Sequence, residues 1–354
     1  MKIVIDSDIP YIRGMLEPYA QTVYIPGDRI SANDAADADA LVIRTRTKCN
    51  EELLHESSVK LIATATIGYD HIDLEYCRKA GIEVATAAGC NARGVLQWMG
   101  ATLSYASKVQ GWKPCQKRIG VVGVGNVGSL VARYAKLWGF DVLCCDPPRQ
   151  RAMSAERPCT CSESLYTPEE FVPFGRIISD CDIITFHTPL TRGGEDATYH
   201  LADKHFFEQI KPENLIINCA RGGITETESM LAAAESGKCT CCIDTWENEP
   251  DINLRMLDTA FVSTPHIAGY SAQGKANATS MAVNAIARKF GLPLAGWFPA
   301  EEVPRVTPRP ISWSEMTGSI KKYCNIRKET TDLKNAPENF ENIRNNYHYR
   351  SEYF

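Results

Sequence analysis

Three side chains suited to proton and carbonyl chemistry follow apolar, strand-like runs in the second half of the chain. They are Arg221 in Asn218-Cys-Ala-Arg221-Gly-Gly, Glu249 in Asp244-Thr-Trp-Glu-Asn-Glu249-Pro and His266 in Thr264-Pro-His266-Ile-Ala-Gly-Tyr270. A neutral imidazole can take a proton, and a carboxylate on its second nitrogen fixes the tautomer. A planar guanidinium grips a carboxylate or polarises a carbonyl. Taken singly, each residue also fits a plainer role: a surface ion-pair partner, a solvated loop carboxylate, a packed strand-end histidine. Their succession at strand ends favours a joint site, because open parallel sheets bind ligands beyond the carboxyl ends of their strands.

A second constellation lies upstream. Gly123-Val-Gly125-Asn126-Val127-Gly128 follows an apolar strand and opens an amphipathic helix. In that setting the first glycine permits a tight turn, the second lets backbone amides approach a pyrophosphate, and the third lets helix and strand pack closely. Asp146 closes the next strand, twenty-three positions after Gly123. A carboxylate there receives the ribose hydroxyls of NAD and repels the extra phosphate of NADP. Arg149 and Arg151 could soften that preference, with Pro147-Pro148 expected to turn them away.

These residues need a scaffold, and the pattern supplies one. Apolar β-branched runs at Lys2–Ile5, Thr22–Ile25, Ala40–Ile43, Lys60–Ala65 and Glu83–Ala85 alternate with helical spacing at Tyr11–Ala20, Asn50–Glu56 and Ile72–Lys79. Alternation of this kind predicts a parallel sheet covered on both faces. A long connector helix over Asn91–Val109 precedes a second series. Its strands are expected at Arg118–Val122, Val142–Cys145, Asp182–Phe186, Leu215–Asn218, Thr240–Ile243 and Ala260–Thr264, and one of its helices starts at Thr167-Pro168. A last helix, Ala272–Phe290, leads into a proline-rich stretch and an aromatic, charged tail. That tail reads as an appended oligomerisation element or as a loose end.

Composition narrows the function classes. The 354 residues carry a formal charge of −5, which gives no field to recruit nucleic acid. No apolar run reaches membrane-spanning length, and Met1-Lys-Ile-Val-Ile-Asp turns acidic too early for an export signal, so a soluble cytoplasmic protein is expected. The 14 cysteines, including the pairs Cys159/Cys161 and Cys239/Cys241, lack zinc-site spacing and are expected to be buried reduced thiols, with no metal bound.

Several further motifs stand in order between Lys2 and Phe290: Arg44-Thr45-Arg46-Thr-Lys48, Thr64-Ala-Thr66-Ile-Gly68-Tyr-Asp70-His71, Gly89-Cys-Asn-Ala92 and Thr185-Phe-His187-Thr188-Pro-Leu. With the glycine loop and the three strand-end residues, they make the chain resemble the D-2-hydroxyacid dehydrogenases. Gly89-Cys-Asn-Ala, Asp146-Pro-Pro and His266-Ile-Ala-Gly-Tyr270 favour the branch that acts on 4-phospho-D-erythronate in pyridoxal 5'-phosphate synthesis.

The resemblance implies two α/β domains. A flavodoxin-like substrate domain (residues 1–95 and 267–290) and an inserted Rossmann NAD domain (96–266) would meet at the active cleft, and a C-terminal segment (291–354) would form a homodimer. His266 would take the hydroxyl proton, Glu249 would hold its ring, and Arg221 would hold the substrate. NAD would contact Gly123, Gly125, Asn126, Val127, Gly128, Asp146, Thr188, Cys219, Ala220, Arg221, Asp244 and Gly269. The substrate would meet Thr45, Thr66 and Tyr270, with Arg44, Arg46 and Lys48 as candidates for its phosphate. His71 and His187 are expected to be structural, and His55, His200, His205 and His348 have no partner motif. Gln97 and Arg93 depart from the family pattern. The rival readings are the same chemistry on 3-phosphoglycerate or on glyoxylate and hydroxypyruvate, and a nicotinamide-sensing interaction protein on the same fold.

Overall fold

The computed structural model describes residues 1–154 and 170–354. The chain forms two compact units, one of residues 1–91 and 271–306 and one of residues 92–270 and 307–354.

In the first unit, β1 (Lys2–Asp6), β2 (Gln21–Ile25), β3 (Ala40–Ile43), β4 (Leu61–Thr64) and β5 (Glu83–Thr86) form an all-parallel sheet in the order β2-β1-β3-β4-β5. This is the flavodoxin-like order. Alternation along each strand sends Ile3, Ile5, Val42, Leu61 and Ala63 to one face and Val4, Leu41, Ile43 and Ile62 to the other. The first face is covered by the helix Ala272–Phe290 through Ala278, Ala282, Val283 and Ile286. Ser271 caps that helix by accepting from the Gly274 N–H at 2.9 Å.

The expected helix over Tyr11–Ala20 is absent, and the segment runs as turns. Gly14 and Tyr11 hold positive φ of 86° and 64°, and Pro18 has no N–H for a helical hydrogen bond, so local conformation overrides the apolar spacing.

In the second unit, β6 (Arg118–Val122), β7 (Asp141–Cys145), β8 (Ile183–Phe186), β9 (Asn214–Asn218), β10 (Cys239–Ile243) and β11 (Val262–Ser263) are parallel in the order β11-β10-β9-β8-β6-β7. Phe171 adds a single parallel bridge to Cys144 on β7. Counted from that edge, the order follows the doubly wound 3-2-1-4-5-6 pattern, whose reversal point lies between β6 and β8. The start of the helix expected at Thr167-Pro168, and Cys159 and Cys161, lie outside the described residues. The described cysteines are all free thiols. Burial pushes Cys144 up to about 11 and Cys145 up to about 12, which keeps both protonated at neutral pH.

The sequence reading set 291–354 apart as one segment, whereas contacts divide it: residues 291–306 join the first unit and 307–354 the second. The tail is an integral part of the second core. Phe354 is fully buried, with ring centroids 5.5 Å from Tyr134 and 6.4 Å from Trp138, and Trp313 lies 5.9 Å from Trp138. The two residues that depart from the family pattern hold this tail on the connector helix Ala92–Gln110. Gln97 accepts from the Tyr353 N–H at 2.9 Å and donates to the Ser351 carbonyl at 3.2 Å, and Arg93 lies 3.4 Å from the buried Glu352 carboxylate. Among the described residues, no helix is long and apolar enough to cross a membrane.

Candidate active site

β9, β10 and β11 are neighbours in parallel register, with Asn218 opposite Ile243 and Ile243 opposite Ser263. The loops that leave them therefore emerge at one end of the sheet. Arg221, Glu249 and His266 lie on those loops and line a single pocket of about 270 Å³, together with Trp246, Arg192 and Tyr199.

The His266 Nδ1 lies 2.8 Å from Glu249 Oε2, and Glu249 Oε1 accepts the Trp246 N–H at 2.8 Å. With Nδ1 donating to a carboxylate, Nε2 is the nitrogen left to take a proton. Burial works against ionisation of Glu249, but His266, the Trp246 amide and Arg344 together hold its carboxyl below the ordinary range. His266 sits in the left-handed region, with φ of 56°, and its N–H is tied to the Asp244 carbonyl at 2.8 Å. A non-glycine residue held there is strained, and the surrounding contacts maintain it. Arg221 donates through Nη1 to the Ala220 carbonyl at 2.8 Å.

The buried Asp244 fixes the same loop. It accepts from Thr264 Oγ1 at 2.6 Å, Ile267 N–H at 2.8 Å and Ala268 N–H at 3.0 Å. Three of roughly four lone-pair positions on the carboxylate are thus filled, which leaves one for a carboxamide donor. Ala268 leads directly into Gly269, the remaining nucleotide candidate on this loop.

The glycine loop fits a dinucleotide. Gly123 has φ of 83°, and a Cβ there would lie 2.8 Å from the backbone of His187 and Thr188. A Cβ on Gly128 would come within 1.9 Å of the Gly123 carbonyl, whereas one on Gly125 would meet nothing within 4 Å. Gly125 caps the helix Asn126–Trp138 without a side-chain acceptor, so the amides of the first turn, Asn126 and Val127 included, are available to an anion. The buried Thr188 Oγ1 has no hydrogen-bond partner among the described residues, as expected of a group reserved for a ligand.

Asp146 accepts from the Val124 N–H at 2.8 Å and the Arg149 N–H at 3.0 Å, which leaves about two acceptor positions for a ribose diol. Pro147 opens the helix Pro147–Ser154, which sends Arg151 to Glu195 at 3.4 Å. Arg149 is not turned away, contrary to expectation. Its side chain is buried and donates to the Val124 carbonyl inside the loop. Asp146→Ser is therefore expected to reduce the preference for NAD over NADP by about 10- to 100-fold, the worth of a charged hydrogen bond. Ratios of kcat/KM with the two cofactors check it, and an unchanged ratio would remove Asp146 from the cofactor site.

Cys219 and Ala220 stand between β9 and Arg221. The Ala220 N–H donates to Asn218 Oδ1 at 3.1 Å, and Cys219 Sγ lies 3.9 Å from His187 Nδ1. Burial pushes His187 down to about 3, so it is a neutral packing residue, hydrogen-bonded to Thr185 Oγ1 at 3.0 Å. His200 has a partner that no sequence motif announced, Glu247 Oε1 at 2.7 Å.

In the first unit, the phosphate candidates Arg44, Arg46 and Lys48 follow β3, which stops at Ile43, on a segment that turns at residues 45–47. Arg44 donates to the Asp8 carbonyl at 3.0 Å, Arg46 lies 4.0 Å from the Asp8 carboxylate, and Lys48 and Thr45 are exposed. The Thr66 hydroxyl is 2.6 Å from that of Thr64.

One site residue escaped the sequence reading. Arg344, on the helix Phe340–Asn345, reaches Glu249 Oε2 at 3.6 Å and donates through Nε to the Tyr270 hydroxyl at 3.3 Å. It belongs to no motif shared with His266 or Glu249, and long-range folding alone brings the three together. Among the described residues, no group of three or more His, Cys, Asp or Glu side chains is placed to hold a metal ion.

The family model described as D-isomer specific 2-hydroxyacid dehydrogenase, NAD binding domain, matches residues 92–268. An erythronate-4-phosphate dehydrogenase of Bacteroides thetaiotaomicron is 43% identical over 99% of this chain and 97% of its own. One from Escherichia coli O157:H7 is 33% identical over 100% and 92% respectively. Among solved structures, the D-lactate dehydrogenase of Aquifex aeolicus in complex with NAD and lactic acid superposes with a TM-score of 0.64. It is 23% identical and covers 82% of this chain and 96% of that one. The NAD-bound 3-phosphoglycerate dehydrogenase of Entamoeba histolytica gives 0.64 at 23% identity, over 84% and 98%. Both share this fold.

Proposed function

Because the chain belongs to the erythronate-4-phosphate dehydrogenase family of D-isomer specific 2-hydroxyacid dehydrogenases, we propose that it oxidises 4-phospho-D-erythronate at C2 to (R)-3-hydroxy-2-oxo-4-phosphobutanoate. NAD is the cofactor and, when bound, accepts the hydride. The observation that carries the mechanism is the 2.8 Å contact between His266 Nδ1 and Glu249, beside Arg221 in one pocket.

His266 Nε2 takes the proton of the C2 hydroxyl as the carbonyl forms. Glu249 holds the ring in the accepting tautomer and stabilises the imidazolium. Arg221 grips the carboxylate or the C2 oxygen and, in reverse, polarises the carbonyl. Gly123 to Gly128, Asp146, Thr188, Cys219, Ala220, Asp244 and Gly269 would hold the dinucleotide. Thr45, Thr66 and Tyr270 are the proposed substrate contacts, with Arg44, Arg46 and Lys48 for the phosphate. The reaction belongs to pyridoxal 5'-phosphate synthesis in the cytoplasm, carried out by a homodimer of twice the 39.2 kDa chain mass, a size that sedimentation would read.

The test is NADH formation from 4-phospho-D-erythronate against 3-phospho-D-glycerate and D-lactate, with a 2-oxo acid supplied to release bound NADH. Preference for the first supports the reading, and preference for another acid replaces the substrate. Bound NADH without turnover on any acid favours a sensing role. Arg44→Glu or Arg46→Glu is expected to raise KM about 10- to 100-fold with a smaller change in kcat, since a remote phosphate contact binds ground and transition states alike. An unchanged KM strikes that arginine from the site.

A further inference from the structure

The C-terminal segment is built onto the loop that carries His266. The buried Arg350 donates to the Ala268 carbonyl and to the Gly94 carbonyl, the latter at 3.2 Å. It also donates to the Tyr347 hydroxyl at 3.0 Å, and that hydroxyl donates to the half-buried Glu329 at 2.7 Å. The rings of Tyr347 and Tyr349 meet Tyr270 edge-on at 6.2 and 6.1 Å. Arg344 completes the arrangement on the far side of Tyr270, where it also faces Glu249.

We propose that Arg344 is a positioning residue of the reaction: its guanidinium, 3.6 Å from Glu249 Oε2 and 3.3 Å from the Tyr270 hydroxyl, holds the carboxylate against His266 and the phenol in place. The inference rests on the dehydrogenase reading above. It gives the tail a part in the chemistry that is independent of assembly.

The charges facing Glu249 come from every element around it. His266 on the loop after β11 and Arg344 on the helix Phe340–Asn345 act on the carboxylate directly, Arg221 after β9 and Arg192 line the same pocket, and Asp244 at the end of β10 acts on His266. On its own loop, Glu247 is engaged with Thr227 and His200. Arg344 is thus a positive charge beside a coupled carboxylate and imidazole. Removing it leaves the surroundings of the pair more negative, so the pair holds its proton to higher pH. Oxidation requires the deprotonated pair, and the acid limb of kcat/KM therefore moves upward.

The experiment compares wild type with Arg344→Gln and Arg344→Lys. It has three measurements: thermal melts, kcat/KM against pH, and the side-chain carboxyl resonance of Glu249 in carbon-13 NMR, assigned with Glu249→Gln. Arg344→Gln should raise the Glu249 midpoint by about 0.5–1 pH unit, shift the acid limb in the same direction and lower kcat about 10- to 100-fold. Arg344→Lys should restore part of each. A midpoint and acid limb that stay in place in a folded Arg344→Gln protein overturn the proposal, because a purely structural role changes amplitude alone. If the glutamine variant does not fold, the lysine variant decides: a smaller upward shift of the Glu249 midpoint and acid limb with a lowered kcat supports the proposal, and an unshifted titration overturns it. The resonance is read without substrate, so wild type that turns over no hydroxy acid defeats the functional reading while the Arg344 measurement still stands.

Discussion

Replacing His266 by asparagine is expected to lower kcat for hydroxy-acid oxidation by about 10²–10⁴-fold, the usual contribution of a positioned general base. NADH binding should remain within about a factor of two, a margin of some 0.4 kcal/mol. Asparagine is the informative choice because position 266 has φ of 56°, a conformation that Asn tolerates and Ala resists. The variant then removes the base without also straining the loop that Asp244 pins through Ile267 and Ala268. Fluorescence titration of NADH and steady-state kinetics on the same preparation separate the two effects. Normal turnover would mean that another group takes the proton.

Gly222→Ala should be nearly as damaging, for a reason that involves no side-chain chemistry. A methyl group at Gly222 would lie 1.9 Å from the Trp246 carbonyl oxygen, 2.1 Å from its carbon and 2.5 Å from the Glu247 nitrogen. All three are backbone atoms, so no rotamer change relieves the overlap. The loop after β9 and the loop after β10 are pressed together here, and Glu249 hangs from the N–H of Trp246, the residue whose carbonyl would be displaced. Pushing the loops apart moves Arg221 away from the His266–Glu249 pair. A misplacement of about 1 Å costs on the order of 100-fold in rate, against a stability loss of about 1–3 kcal/mol for an overpacked site. Kinetics and urea melts on the variant test this, and a fully active Gly222→Ala protein would show that the loops are not in the contact described.

Much of this was legible from the sequence where the signal was local. Gly123, Gly125 and Gly128 report their roles because a few residues suffice to specify a strand, a turn and a helix start. Arg221, Glu249 and His266 could be grouped because each follows an apolar run, and parallel strands deliver such loops to one end. Local signals failed at Tyr11–Ala20, where Gly14 and Pro18 outweighed apolar spacing. Arg344 was invisible because nothing within its own helix marks it. Its partners Glu249 and Tyr270 are met only after the tail has crossed the second core. Gln97 and Arg93 looked like departures from a pattern until Tyr353, Ser351 and Glu352 were seen to occupy them.

The division of the chain has a consequence for how the protein is made. The first unit takes its covering helix, Ala272–Phe290, from beyond the whole nucleotide-binding sheet, and the second takes Phe354 and its neighbours from the very last residues of this sequence. At about 5–20 residues per second, the ribosome leaves the first sheet without that helix for roughly 10–40 s. Throughout that interval Ile3, Ile5, Val42 and Leu61 present an apolar face that has the segment around Ile9, Ile12 and Leu16 but lacks its covering helix. The nascent chain is therefore most prone to aggregation after its first sheet has been translated and before the helix Ala272–Phe290 emerges.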